Sequence, residues 1–218
     1  MQLYSVLHSP YSARVRIQVY DKDLPVEIVE PPGFRTPEYK KINPTGKVPA
    51  LVLEERLLPE SSVIMEYLED RFPDPAMRPT DIDERATMNL FYRFSDSYIQ
   101  PALFPLFSQV FQKTADAETL KGHITALKQQ VLLLDQLMGE YGREIEHSID
   151  LADCTFASNF FFARVVPSWF EEGVDVLEGA PRVQAWWDWC NSNEHTRRVL
   201  GELETGFNAF LERMNFKK

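Results

Sequence analysis

A serine followed by a proline, Ser9-Pro10, stands where a short apolar run ends and a helical pattern begins. Serine is a favoured N-cap, because its oxygen accepts from an orphan amide of the first turn. Proline suits the first helical position, where its missing N–H has no partner to lose. A strand running into a capped helix gathers free amides and the positive end of a helix dipole at one point, and such a point attracts anions. The Ser9 hydroxyl is expected beside that anion. Ser12, inside the first turn, is the rival hydroxyl, and Tyr4, within the strand and facing the core, is a weaker one. Two more clusters carry polar chemistry. Lys47-Val48-Pro49 follows the turn-forming run Asn43-Pro44-Thr45-Gly46, and Glu60-Ser61-Ser62 opens a second helix with an acid and two candidate capping hydroxyls. Asp150-Leu151-Ala152-Asp153 places one carboxylate at a helix cap and another three residues on. Cys154 and Cys190 fit no metal spacing and no CxxC pattern; they are expected as free buried thiols, and no metal site is expected.

The elements that position these groups follow from periodicity. The opening strand (Leu3, Tyr4, Val6, Leu7) feeds a helix from Pro10 to about Asp21, which carries Val15, Val19 and Tyr20 inward. Pro25–Val29 is a second, parallel strand completing a βαβ unit. One helical turn is expected at Pro37–Ile42. Val48–Leu53 and Arg56–Leu58, separated by Glu54 and Glu55, fit a hairpin. Ser61 or Ser62 then caps a helix with Ile64, Met65, Tyr67, Leu68 and Phe72 at helical spacing. Pro73–Pro79 is the expected linker, about residues 73–81. Beyond Ile82 the pattern is helical only. It comprises Asp83–Phe111 bent at Pro101 and Pro105, Asp116–Tyr141, Asp150–Val165, Pro181–Cys190, a short helix around His195–Leu203, and an amphipathic tail ending near Phe216. The expected architecture is α/β plus all-α: a thioredoxin-like domain over 1–76 followed by an all-helical domain over 82–218.

Composition narrows the function. The formal net charge of −10 in 218 residues argues against a phosphate-backbone partner, which needs a basic face, so no nucleic acid is expected. Met1 leads straight into a strand without a basic and apolar leader, and no run approaches the length of a membrane span. The expectation is a cytoplasmic protein with no membrane partner.

Four segments, Ser9–Arg16, Asn43–Leu51, Glu60–Leu68 and Ser148–Ala157, in this order and at these distances, resemble the cytosolic glutathione transferases over nearly the whole chain. The resemblance implies a cis Val48–Pro49 bond, with the Val48 backbone pairing with the cysteinyl unit of glutathione and Lys47 meeting its glycyl carboxylate. It implies that Ser61 and the free amides beside it hold the γ-glutamyl carboxylate while Glu60 pairs with the α-amino group. Ser9 is the implied catalytic residue, of the serine type, donating to the glutathione sulfur. A free thiol titrates near about 8.5, and lowering that by about two units needs roughly 2.7 kcal/mol. A hydrogen bond to a charged group contributes roughly 1.5–3 kcal/mol and a helix terminus roughly 0.3–1 kcal/mol, so the two suffice without a general base. Glutathione is then the nucleophile. The chain lacks the cysteine at this position that mixed-disulfide reduction requires. Asp150 stands where the family's capping motif usually has Ser or Thr, and its role is structural.

The implied activity is conjugation of the glutathione thiolate to hydrophobic electrophiles in detoxification, by a homodimer. The electrophile pocket is expected from Leu7, Pro10, Phe104, Phe107, Phe111, Phe161 and Trp169. Two alternatives stay open. The same activated thiolate serves a glutathione-dependent isomerase or lyase. Ile64–Pro79 and Tyr11–Ile17 also resemble stringent starvation protein A, a non-enzymatic protein associated with bacterial RNA polymerase.

Overall fold

A computed structural model of the chain describes residues 1–54 and 56–214. Glu55 and the end of the tail near Phe216, both named above, lie outside the described residues. The N-terminal part contains β1 (Gln2–Tyr4), α1 (Pro10–Asp21), β2 (Glu27–Val29), α2 (Pro37–Ile42), β3 (Ala50–Val52), β4 (Leu57–Pro59) and α3 (Ser61–Arg71). The sheet order is β2-β1-β3-β4, with β1 parallel to β2 and the other pairs antiparallel. Leu3 lies opposite Ile28 on one side and Leu51 on the other, so one apolar row crosses the sheet. This is the expected thioredoxin-like order, with helices following from Ile82 onward.

The strands are shorter than the apolar runs suggest. The opening strand stops at Tyr4 because the buried Arg16 guanidinium takes the next oxygens: Ser5 Oγ at 2.8 Å, the Val6 carbonyl at 3.1 Å and the Leu7 carbonyl at 3.0 Å. Residues 5–9 therefore form a loop tied to the helix that follows it. The fourth strand ends at Pro59, which a sheet edge tolerates because no ladder donor is needed there.

The helical part comprises α4 (Ile82–Phe94), α5 (Gln100–Gln112), α6 (Ala117–Glu140), α7 (Leu151–Val165), α8 (Pro181–Ser192) and α9 (Glu194–Arg213). Between α4 and α5 the helix widens into a π-turn, Ser95–Ile99, where the Gln100 N–H reaches back to the Ser95 carbonyl. The expected bend thus falls ahead of the prolines. Pro101 has no N–H for the Ser97 carbonyl and its ring crowds that turn, so the chain widens before reaching it. The expected short helix and separate tail are one 20-residue helix, α9. A buried stripe of Val199, Leu203, Gly206, Phe207 and Leu211 runs through it, and packing of that face outweighs the low helix propensity of Gly201 and Gly206.

The first helix is buried almost all round, packed on α3, α7 and α9. The sequence suggests an ordinary amphipathic helix, yet Arg14 and Arg16 are wholly buried. Arg14 donates to both oxygens of Asp96 in the π-turn, at 2.9 and 2.7 Å. Arg16 Nε donates to Glu202 on α9 at 2.9 Å. A buried guanidinium is tolerable only when its charge and donors are matched, and these pairs lock α1 to the helical part.

Candidate active site

The loop that precedes α1 is shaped from two sides. Arg16 holds its carbonyls from below, and α9 crosses it at Gly206. A Cβ built on Gly206 would lie 2.4 Å from Leu7 Cβ, 2.8 Å from the His8 nitrogen and 2.9 Å from the Leu7 carbonyl carbon. Only glycine permits this approach. The loop delivers Ser9 to the N-cap of α1, with extended backbone (φ −89°, ψ 119°) and Oγ accepting the Ser12 N–H at 3.2 Å. Ser9 Oγ donates to no acceptor among the described residues, so its proton is free for a ligand. Ser12 is fully buried, its hydroxyl has no partner among the described residues, and it is absent from the cavity wall described below. Tyr4 sits edge-on to Tyr39 at 6.1 Å, away from that wall.

The turn before β3 is held as firmly. Asn43 Oδ1 accepts from the Thr45 N–H and hydroxyl, while Asn43 Nδ2 and the Tyr39 hydroxyl both donate to the Lys47 carbonyl, at 2.8 and 2.9 Å. The Val48–Pro49 bond is cis. Neither the N–H nor the C=O of Val48 has a protein partner among the described residues, which leaves one strand-like pair of groups open. At α3 the cap position belongs to Glu60, not to Ser61 or Ser62. Glu60 has φ 71° and makes no side-chain cap bond. Ser61 is already helical there, so its hydroxyl does not cap, and the first-turn amides stay open. A non-glycine residue held in the left-handed region is strained backbone of the kind that clusters at ligand sites.

These groups meet at one cavity of about 590 Å³. Ser9, Lys47, Val48, Glu60 and Ser61 line it, together with Pro10, Phe104, Phe107 and Phe111. Leu7, Phe161 and Trp169, also expected in the electrophile pocket, do not. Leu7 packs against Gly206, Phe161 stands edge-on to Phe162 at 5.0 Å, and Trp169 stacks on Phe207 at 5.5 Å. Phe162 of α7 and Phe207 and Phe210 of α9 are on the wall as well. Reading the tail as separate from the preceding helix hid the last two, although their spacing of three on an amphipathic stretch was a signal. Thr45, from the turn-forming run, also lines the cavity, as do His8, Tyr11, Phe34, Arg35, Gln100, Leu103 and Asn159, which the sequence did not mark as site residues.

The site is electropositive in an acidic protein. His8 stacks on Phe210 at 4.7 Å, and its pKa is lowered to about 4 by burial and by the charges of Arg213, Arg35 and Arg16. Burial, the larger cause, disfavours any charge there, but the three guanidinium charges that add to it favour an anion at Ser9. Glu60 is the one carboxylate of the lining.

The Asp150–Asp153 pair forms a full capping box. Arg143 donates to both carboxylates at about 3 Å, and the Trp186 indole donates to Asp153 at 2.8 Å. Burial and the neighbouring Asp153 push Asp150 up to about 6, whereas for Asp153 burial, the largest single cause, is outweighed by the Arg143 charge and the hydrogen bonds from the Asp150 N–H and the Trp186 indole acting together, and its pKa is lowered. Together with His147 these carboxylates are the one group among the described residues with metal-ligand spacing. The guanidinium already supplies the positive charge. Cys154 and Cys190 are free and buried, and burial raises both thiols, which makes them poor nucleophiles.

Residues 3–76 match the family model described as the glutathione S-transferase N-terminal domain. Glutathione S-transferase 1 of Dianthus caryophyllus is 30% identical over 82% of this chain and 81% of its own. The chain belongs to the glutathione S-transferase family. A glutathione S-transferase of Pseudomonas putida is 27% identical across 97% of this chain and 96% of its own. The stringent starvation protein A homolog of Haemophilus ducreyi is 26% identical over 72% of each chain. The transferase fold is evident too in the solved Tau class glutathione S-transferase of mango, with a TM-score of 0.79 at 20% identity over 96% of this chain and 97% of that one. No helix among the described residues of this family member is long and apolar enough to cross a membrane.

Proposed function

We propose that the protein is a glutathione transferase that joins the glutathione sulfur to hydrophobic electrophiles. Glutathione lies along the N-terminal half of the cavity. Its cysteinyl backbone pairs with the open N–H and C=O of Val48, and its glycyl carboxylate meets Lys47. The γ-glutamyl carboxylate takes Ser61 and the uncapped amides of α3, and Glu60 takes the α-amino group. The sulfur then falls at the start of α1. The observation that carries the reading is the state of Ser9: its oxygen already accepts the Ser12 N–H, and its proton has no acceptor among the described residues. Accepting one hydrogen bond polarises the hydroxyl as a donor to a thiolate. The helix terminus and the surrounding arginines add to the same effect. In the conjugation the sulfur forms the new C–S bond as the leaving group departs with the carbon's electron pair. The electrophile packs on Pro10, Phe104, Phe107 and Phe111 with Phe162, Phe207 and Phe210.

Residues 1–76 form the glutathione-binding domain, and 82–218 the domain that supplies the electrophile wall. The working unit is a homodimer; sedimentation at the mass of one chain would overturn that. The central test is Ser9→Ala. The bound thiol's pKa, followed by the ultraviolet absorbance of its thiolate, is expected to rise by one to two units, with kcat/KM toward a generic aromatic chloride falling roughly ten- to hundredfold. A wild-type protein that is not retained on immobilised glutathione, with Ser9→Ala silent, favours an interaction protein built on the same fold.

A further inference from the structure

Asn159 of α7 lies among the rings of the cavity and is only 1% exposed. Its Nδ2 donates to Ser95 Oγ at 2.8 Å, and the Ser95 hydroxyl donates onward to the Thr155 carbonyl at 3.5 Å. The amide nitrogen faces Ser95, and the Ser95 hydroxyl in turn has the Thr155 carbonyl as its acceptor. The Asn159 oxygen is then left over, and no described residue donates to it. The oxygen is not sealed in: it keeps accessible surface while Asn159 lines the cavity, so a ligand that excludes water there must supply the donor or leave the acceptor unpaired.

The surroundings show what kind of molecule can bring the donor. Phe107, Phe162 and Phe207 form a box, with Phe162 edge-on to both others at 5.6 and 5.0 Å. His8, Phe210 and Phe207, all on the cavity wall, lie in nearly parallel planes, with successive angles of 14° and 17°. A wall made of aromatic rings suits an aromatic ligand, which packs on them offset or edge-to-face. Gln100, the other side-chain amide of the lining, is half-buried and open to water, so it discriminates less.

We propose that the cavity selects an aromatic electrophile carrying a phenolic hydroxyl, whose O–H donates to Asn159 Oδ1. The inference rests on the glutathione reading given above and adds the substrate class. A site built to accept a hydrogen bond discriminates against an analogue that lacks the donor, because its own buried group is left unpaired. For one neutral hydrogen bond the expected preference is about tenfold.

Calorimetric titration of the whole protein tests this with glutathione, the 3- and 4-hydroxyphenacyl S-conjugates of glutathione, and their methoxy counterparts. One hydroxyl isomer is expected to bind about tenfold more tightly than its methoxy counterpart, and Asn159→Leu is expected to bring the two within about twofold. Equal affinities in the wild type overturn the inference, as does a preference that survives in Asn159→Leu. If that variant does not fold, Ser95→Ala serves instead. It releases the amide to turn, so the preference falls, and an unchanged preference overturns the inference. Glutathione binding with no hydroxyl preference sinks this inference alone, whereas no binding of glutathione sinks the functional reading as well.

Discussion

Gly206→Ala places one methyl group where α9 meets the loop that carries Ser9, and its consequences can be worked through. The new carbon would stand 2.4 Å from Leu7 Cβ and under 3 Å from two backbone atoms of Leu7 and His8. Carbon atoms settle at about 3.5–4.0 Å, so helix and loop must part by roughly 1 Å. Backbone cannot rotate out of the way as a side-chain tip can. Overpacking of this kind costs about 1–3 kcal/mol, while alanine in a helix recovers about 1 kcal/mol relative to glycine. Gly201 supplies the control. It lies on the exposed face of the same helix with nothing within 4 Å of a built Cβ, so Gly201→Ala takes the helical gain without the clash. Urea denaturation of both variants is expected to place Gly206→Ala about 1–3 kcal/mol below Gly201→Ala. Displacing Ser9 by even a fraction of that 1 Å lowers kcat/KM by up to about a hundredfold. If the two variants agree within about 0.5 kcal/mol and share wild-type kcat/KM, then Gly206 does not set the loop and the reasoning fails.

Two further outcomes follow from the charged groups. His8 has a folded pKa near 4, below its ordinary 6.5, so the unfolded chain takes up its proton first. Its contribution to stability is whole above about pH 6.5 and is lost as pH falls toward 4, by about 1–2 kcal/mol once solvent screening of this part-exposed ring is allowed for. His8→Gln is expected to flatten that part of a stability-versus-pH curve measured by urea midpoints. An unchanged slope refutes the assignment. Arg143→Met strands the buried Asp150 and Asp153 carboxylates without their cation, and a loss of about 3–5 kcal/mol is expected in urea. A loss under about 1 kcal/mol would show that the capping box stands without the guanidinium.

Much of this protein was determined by sequence alone, wherever the cause is local. Ser9-Pro10, Asn43–Gly46 and Asp150–Asp153 act through caps and turns only a few residues long, and period-two and period-3.6 patterns name the elements. The order of strands and helices, and hence the thioredoxin-like sheet followed by helices, was legible for that reason. The tertiary structure decided what depends on residues far apart in the chain. Arg16 ends the first strand because it borrows oxygens from residues 5–7 and a carboxylate from residue 202. Gly206 earns its place only through a loop two hundred residues earlier. Phe207 and Phe210 become cavity wall only once α9 lies across α1, and Asn159 gains an unpaired oxygen only because Ser95 sits beside it. Burial and charge pairing are properties of neighbours in space, and a linear pattern records neighbours in sequence.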